Sequence, residues 1–308
     1  MRLSKEPAEA LLPAKRAFEL AEQGLVDNSY TIDDARLLYL LANYAATDFA
    51  RRAERKLAEQ LRTRDDSKLP DTSVSANAWF YLSGEALKRE DFSRALISAR
   101  RTQRAIQSVA KGDQINFARA LVFEGISLLN IRNRETKDIV KALDIFLRAS
   151  KLFASYLEGD EMSSEAFRVE AWRFAADALL ASESKARHRR YWDDSETPNA
   201  ILSAYPREKF FPYNVNCPTD WLNKEAPVYP NEALQEGYVG AAIVSYNFGE
   251  TGAAENIRIE AEVPKELFSK SIVAAVRKWR IANMVELDKR CQMKRYVGFS
   301  FGVGRRAR

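Results

Sequence analysis

A chain of 308 residues holds about two domains at the usual ~100–200 residues each. Hydrophobic residues make up 46% of it, enough to build buried cores, and this excludes global disorder. Charged residues make up 30%, but the signs nearly cancel to a net +5, which permits attraction to an anionic surface without predicting a nucleic-acid binder.

In chain order, residues 1–195 read as helices almost throughout, because glycine is sparse, strand-like alternation is absent and Ala, Leu, Arg and Glu dominate. A first helix is predicted over Pro7 to Gln23, with Leu11, Leu12, Ala14, Phe18 and Ala21 as its apolar stripe and Gly24 as its stop. Thr31 is a candidate N-cap, with Asp33 and Asp34 placed favourably near the positive end of the helix dipole. The helical tract then runs to about Thr63 with a break near Thr47, and residues 64–73 form a polar loop.

Helical patterning resumes at Ser75. Trp79, Leu82, Gly84 and Leu87 fall on one helix, Asp91-Phe92 near a turn and Ala95 on the next helix, with Gly84 and Ala95 expected to let the two approach closely. A second copy starts near Phe117, with Gly125 and Ala142 in the corresponding places, and a third pair is expected near Ser163, with Trp172, Ala175 and Leu179. The pattern resembles irregular tetratricopeptide repeats, which implies an α-solenoid; an unrelated helical bundle is the alternative. The tract Lys185 to Asp194 and the tail Arg305 to Arg308 read as solvated charge, with a contact for an anionic partner as the sharper alternative. From Thr197 to Pro227 five prolines interrupt any helix, yet Tyr205, Phe210, Phe211, Tyr213 and Trp221 lie here too, so this linker is expected to pack along the domains.

The last quarter changes period. Ala242, Val244, Tyr246 and Phe248 alternate as a strand with one buried face, and Gly249-Glu250-Thr251-Gly252 supplies a turn. Ile257 and Ile259 resume the alternation until Pro264 stops it. From Lys265, the residues Phe268, Ile272, Ala275, Val276 and Trp279 mark one face of a helix, and Tyr296 to Val303 offers a third strand. Tyr229-Pro230, Ala233, Gly240, Val244/Tyr246/Phe248, Gly252, Ile257/Ile259, Pro264, Phe268 and Trp279-Arg280 stand without a gap in a pattern that resembles the C-terminal domain of the TonB family of energy transducers. The fold class expected is therefore an α-helical repeat domain followed by a small α+β domain, a three-stranded antiparallel sheet packed on a helix. The segments expected are 1–195, helical; 196–222, linker; and 223–308, TonB-like.

The resemblance implies a binding protein. Its last strand would be an exposed sheet edge, Lys294, Arg295, Tyr296, Val297, Gly298, Phe299, Ser300 and Phe301, that pairs with the TonB-box peptide of an outer-membrane transporter by strand addition. Val297, Phe299 and Phe301 would face the helix, Tyr296, Gly298 and Ser300 would face outward, and Lys294 and Arg295 would attract an acidic peptide. The alternative is an edge covered by the linker or by a second copy of the domain. The compartment implied is the periplasm of a Gram-negative bacterium, where Cys217 and Cys291 would be free to form a disulfide, two unconnected thiols being the other reading. An inner-membrane energising complex, the peptidoglycan layer, an unknown protein on the helical domain and a second copy of the chain are further partners consistent with the resemblance.

A TonB-like transducer is normally tethered by its N-terminus, whereas no segment here approaches the ~18–20 apolar residues of a membrane helix and MRLSKEPAEALLPAKR is too polar for a secretory core. The expectation is an anchor absent from this chain or an untethered protein. The second functional reading is accordingly a non-enzymatic periplasmic scaffold or adaptor, using the helices for binding and the C-terminal domain for docking or dimerisation. Nothing points to an enzyme, a cofactor or a metal. His188, the one histidine, sits in an arginine cluster, and phosphate loops, dinucleotide fingerprints and nucleophile elbows are missing.

Overall fold

The computed structural model describes residues 7–25, 32–109, 113–157, a set of positions between 165 and 180, 220–282 apart from 237 and 239, and 294–301. A helical N-terminal part is followed by a small antiparallel sheet domain, and the chain divides into two compact units, residues 1–124 and 125–308. The expected border at 195 lies outside the described residues, as do Thr31, the tract 185–194 and the linker up to 219.

In the first unit α1 (Pro7–Glu22), α2 (Ile32–Ala46), α3 (Arg51–Asp66), α4 (Ser73–Lys88) and α5 (Phe92–Val109) follow one another, and α6 (Gln114–Asn130) begins. Gly24 ends α1 with φ +71, the left-handed conformation that a side chain resists, while Leu25 donates back to the Leu20 carbonyl. The break expected near Thr47 is a turn in which Asp48 and Phe49 both take positive φ. Leu37, Leu41 and Tyr44 of α2, Leu57 and Leu61 of α3, and Ala78, Trp79 and Leu82 of α4 share one core.

Asp33 and Asp34 do more than favour a helix start. Both accept from Arg64 of α3, whose guanidinium is buried, and Asp34 also takes the hydroxyl of Thr72. Thr72 in turn caps α4 in a reciprocal box with Ser75. One polar network therefore links α2, α3 and the start of α4. Gly84 departs from the expectation for the α4–α5 pair, because its nearest neighbour is the Phe123 ring of α6 at 3.6 Å. What joins α4 to α5 is Ala95, fully buried, and a hydrogen bond from the Ser83 hydroxyl to the Ala95 carbonyl.

In the second unit, α6 continues and α7 spans Thr136–Tyr156. A Cβ on Gly125 would lie 2.6 Å from the Phe146 ring, so here glycine does allow one helix to seat the aromatic ring of the next. Ala142, Phe146 and Phe153 are buried. Around the expected third pair, Ala175 and Leu179 are helical and buried.

The small domain contains β1 (Trp221–Asn223), α8 (Asn231–Gln235), β2 (Gly240–Phe248), β3 (Ala254–Val263), α9 (Ser269–Val276), β4 (Arg280–Ile281) and β5 (Arg295–Phe301). β2 lies in the middle of a three-stranded antiparallel sheet of order β3-β2-β5, and β1 pairs separately with β4. Ala242, Val244, Tyr246 and Phe248 face α9, as their alternation predicts. The expectation of a single buried face fails, since Ala241, Ile243 and Ser245 are buried as well. β2 is flanked on both sides, and its small residues sit low between the longer side chains of its neighbours.

The helix expected from Lys265 starts only at Ser269. Glu266 takes φ +61, which no helix tolerates, and the carboxylate of Glu262 accepts the N–H groups of Glu266, Phe268 and Ser269. Residues 264–268 are thus a turn folded over a carboxylate. At the β2–β3 turn, Gly252 has φ +72, and a Cβ there would stand 2.3 Å from the Ile281 carbonyl oxygen. Gly252→Ala is expected to destabilise the domain by roughly 2–3 kcal/mol through strain and overpacking. At Gly249 an added Cβ meets only the flexible end of Glu255, so Gly249→Ala is expected to cost less than about 1 kcal/mol. Urea unfolding of the two variants checks the contrast.

Candidate functional site

Strand β5 forms one edge of the sheet: among the described residues it pairs with β2 alone, in a continuous register from Gly240↔Phe301 to Tyr246↔Arg295. An edge strand presents unpaired N–H and C=O groups along its free side, the elements needed to accept another strand. The sequence expectation for its two faces holds where it is described. Phe301 is buried, and Val297 and Phe299 pack against the core around Trp279. On the other face Tyr296 and Gly298 are half-buried, opposite Ser245 and Ile243, and Ser300 pairs with Ala241.

The inner face rests on an aromatic stack. Phe268 and Phe301 lie parallel with centroids 4.1 Å apart, and Tyr229 meets both edge-on at 5.9 and 5.6 Å. Pro230 is the N-cap of α8, whose Ala233 is fully buried, and the Tyr229 hydroxyl donates to the Tyr238 carbonyl. Gly240 at the start of β2 has no room for a side chain, since a Cβ would stand 2.1 Å from the Phe268 ring and 2.5 Å from the Val263 carbonyl. Trp279, 2% exposed, meets Tyr246 and Trp221 edge-on and lies 5.9 Å from Phe299. Its indole N–H donates to the Glu225 carbonyl at 2.7 Å. The Glu225 carboxylate is hydrogen-bonded by Lys278, which holds it below the usual glutamate range.

The two cations expected to attract a partner are engaged inside the domain. Lys294 donates to Glu260 of β3 at 2.8 Å and lies 5.5 Å from the Tyr296 ring centre. Glu260 also takes the Ser245 hydroxyl. Burial pushes the Tyr296 phenol up, the nearby Lys294 working against it. Arg295 sits 5.0 Å over the Phe248 ring, and burial lowers its pKa while Tyr246 opposes the shift. The free side of β5 therefore offers mainly backbone groups. Cys217 and Cys291 lie outside the described residues.

A short helix opening on Tyr-Pro, a hairpin turning at Gly252, a helix running into Trp279 and a last strand returning beside the first now stand in one core. Residues 225–302 match the family described as Gram-negative bacterial TonB protein C-terminal. The TonB-like segment thus begins at Glu225, the residue tied to Trp279 and Lys278, and ends one residue past β5. Protein TonB of Yersinia enterocolitica is 29% identical over 90 residues, covering 29% of this chain and 35% of that protein. The chain so spans about a third of the length of that curated relative. A solution NMR structure of the Pseudomonas aeruginosa TonB CTD is 25% identical over 29% of this chain and 89% of that one, with a TM-score of 0.24.

Several residues that shape the TonB-like domain escaped the sequence reading. Trp221 was placed with the linker, but β1 spans the expected 222/223 border, and its ring meets Phe248 and Trp279. Glu225, Glu260 and Glu262 each act on an element distant in sequence, so no local spacing marks them. Among the described residues, no group of three or more His, Cys, Asp or Glu side chains is arranged to hold a metal, and no helix is long and apolar enough to cross a membrane.

Proposed function

We propose that this chain is a periplasmic, TonB-like transducer whose C-terminal domain takes the N-terminal peptide of an outer-membrane transporter as an added strand on β5. The observation that carries the reading is the match over residues 225–302 together with the position of β5 at the sheet edge. In this reading the added strand hydrogen-bonds the free backbone of Arg295 to Phe301, with Gly298 giving the closest approach and Lys294 standing at the end of the strand. Residues 1–195 form tetratricopeptide-like repeats that engage a second protein, residues 196–222 link them to the domain, and an inner-membrane energising complex supplies the work. No substrate is turned over.

Because Lys294 and Arg295 are held within the domain, recognition rests on main-chain pairing and responds weakly to salt. The test is a titration of the full chain, selectively labelled, with N-terminal peptides of outer-membrane transporters from the same organism. Amide shifts concentrated between Arg295 and Phe301, little changed between 50 and 300 mM salt, are the expected result; these concentrations are on the order of the range over which surface charges become screened. Energised uptake is expected to fall in a strain lacking the gene. A folded chain that shows no shift at millimolar-order peptide, with uptake intact, would overturn the reading.

A further inference from the structure

Positive charge is gathered on two helices that the TonB-like domain does not include. Helices α3 and α5 together hold ten basic residues against four acidic ones, a surplus larger than the +5 of the whole chain. The helices lie side by side, joined by Glu54–Arg94 and Asp65–Arg101 ion pairs. A solvent-open cavity of about 370 Å³ lies where the start of α3 meets the α4–α5 turn, and Arg51, Arg55, Arg89 and Arg94 line it together with Glu54 and Asp91.

The two carboxylates do not neutralise the cavity, because both are already engaged. Glu54, nearly fully buried, accepts from Arg89 and from Arg94. Asp91 caps the backbone of Arg94 and pairs with its guanidinium. Arg89 is further fixed by donating to the Phe49 carbonyl. Among the described residues Arg51 and Arg55 have no carboxylate partner, and their spacing places both on one face of α3. Ala50, the N-cap of α3, supplies no side-chain acceptor, so the positive end of that helix adds to the same field.

We propose that this cavity is an oxyanion site, which takes a carboxylate- or phosphate-bearing group through Arg51 and Arg55. Arg89 and Arg94, held by Glu54, form a fixed wall behind the bound group. A guanidinium fork matches the paired oxygens of either group, and the space admits the anion and the few atoms attached to it. The remaining surplus on α3 and α5 would steer an anionic molecule toward the cavity from solution.

The test is calorimetric titration of the full chain with inorganic phosphate and, separately, with citrate, at constant ionic strength. Arg51→Gln/Arg55→Gln removes the free pair; both side chains are exposed and unpaired, so melting unchanged from the parent is expected. Arg52→Gln/Arg62→Gln makes the same charge change away from the cavity lining. Each lost charge-assisted hydrogen bond is worth roughly 1.5–3 kcal/mol, so the first variant is expected to bind at least about ten-fold more weakly and the second less than about two-fold. Binding of phosphate alone assigns the site to phosphate-bearing groups and binding of citrate alone to carboxylates; either supports the proposal. Absence of binding of both anions to the parent chain, or equal weakening in the two variants, overturns it.

Discussion

Trp279→Ala is expected to remove about 4 kcal/mol from the C-terminal domain, the usual scale for emptying a buried aromatic site. The ring lies at the centre of the small core, where Tyr246, Trp221 and Phe299 meet it from three elements. Its N–H also fixes the Glu225 carbonyl, so the truncation releases the segment ahead of α8 as well. A domain of this size has roughly 5–10 kcal/mol to lose, so it should melt well below the parent. Trp279→Phe keeps a ring and drops the hydrogen bond, and about 1–2 kcal/mol is expected there. Urea melts followed by tryptophan fluorescence measure both. A Trp279→Ala loss no larger than that of Trp279→Phe would show that the ring is not the centre of the core.

Glu262→Ala is expected to cost about 3 kcal/mol, since buried donors left without an acceptor lose close to their full desolvation penalty. One carboxylate, 5% exposed, receives the N–H groups of Glu266, Phe268 and Ser269 together with the Ser269 hydroxyl. It sets where α9 begins and so where Phe268 and Trp279 enter the core. Glu262→Gln keeps the size but turns an N–H₂ group toward donors, and it is expected to recover less than half of the loss. Hydrogen exchange at Phe268 and Ser269 reads the effect locally. Protection unchanged in Glu262→Ala would mean that the turn holds without its carboxylate.

The elements legible in the sequence were those that repeat a local period. The α1 stripe and its Gly24 stop, the break near Thr47, the β2–β3 hairpin and the third strand all follow from the nearest few residues. The edge position of β5 was legible too, because the resemblance fixed the order of the strands. What escaped depends on partners far along the chain. Glu262 looks like a strand residue until the turn folds over it, and Asp33 and Asp34 look like dipole charges until Arg64 and Thr72 arrive. Lys294 and Arg295 look like free cations until Glu260, Tyr246 and Phe248 engage them. Gly84 misled for the same reason: its place in a helix was readable, and the helix it faces was not.

The stretch between Asp220 and Pro230 is fastened to the domain in steps. Ala282 donates to the Asp220 carbonyl, β1 pairs with β4 at two positions, Trp279 and Lys278 hold Glu225, and Ser271 donates to the Val228 carbonyl. Tyr229 is the last anchor, wedged against Phe268 and Phe301. Tension applied from the N-terminal side against a partner fixed on β5 meets these fastenings one after another, before it loads the seven-residue register of β5 with β2. Each residue released adds about 3.3 Å of extended chain. The domain can therefore yield and lengthen under load while its grip on the far side stays whole, and it re-engages the same fastenings when the load falls.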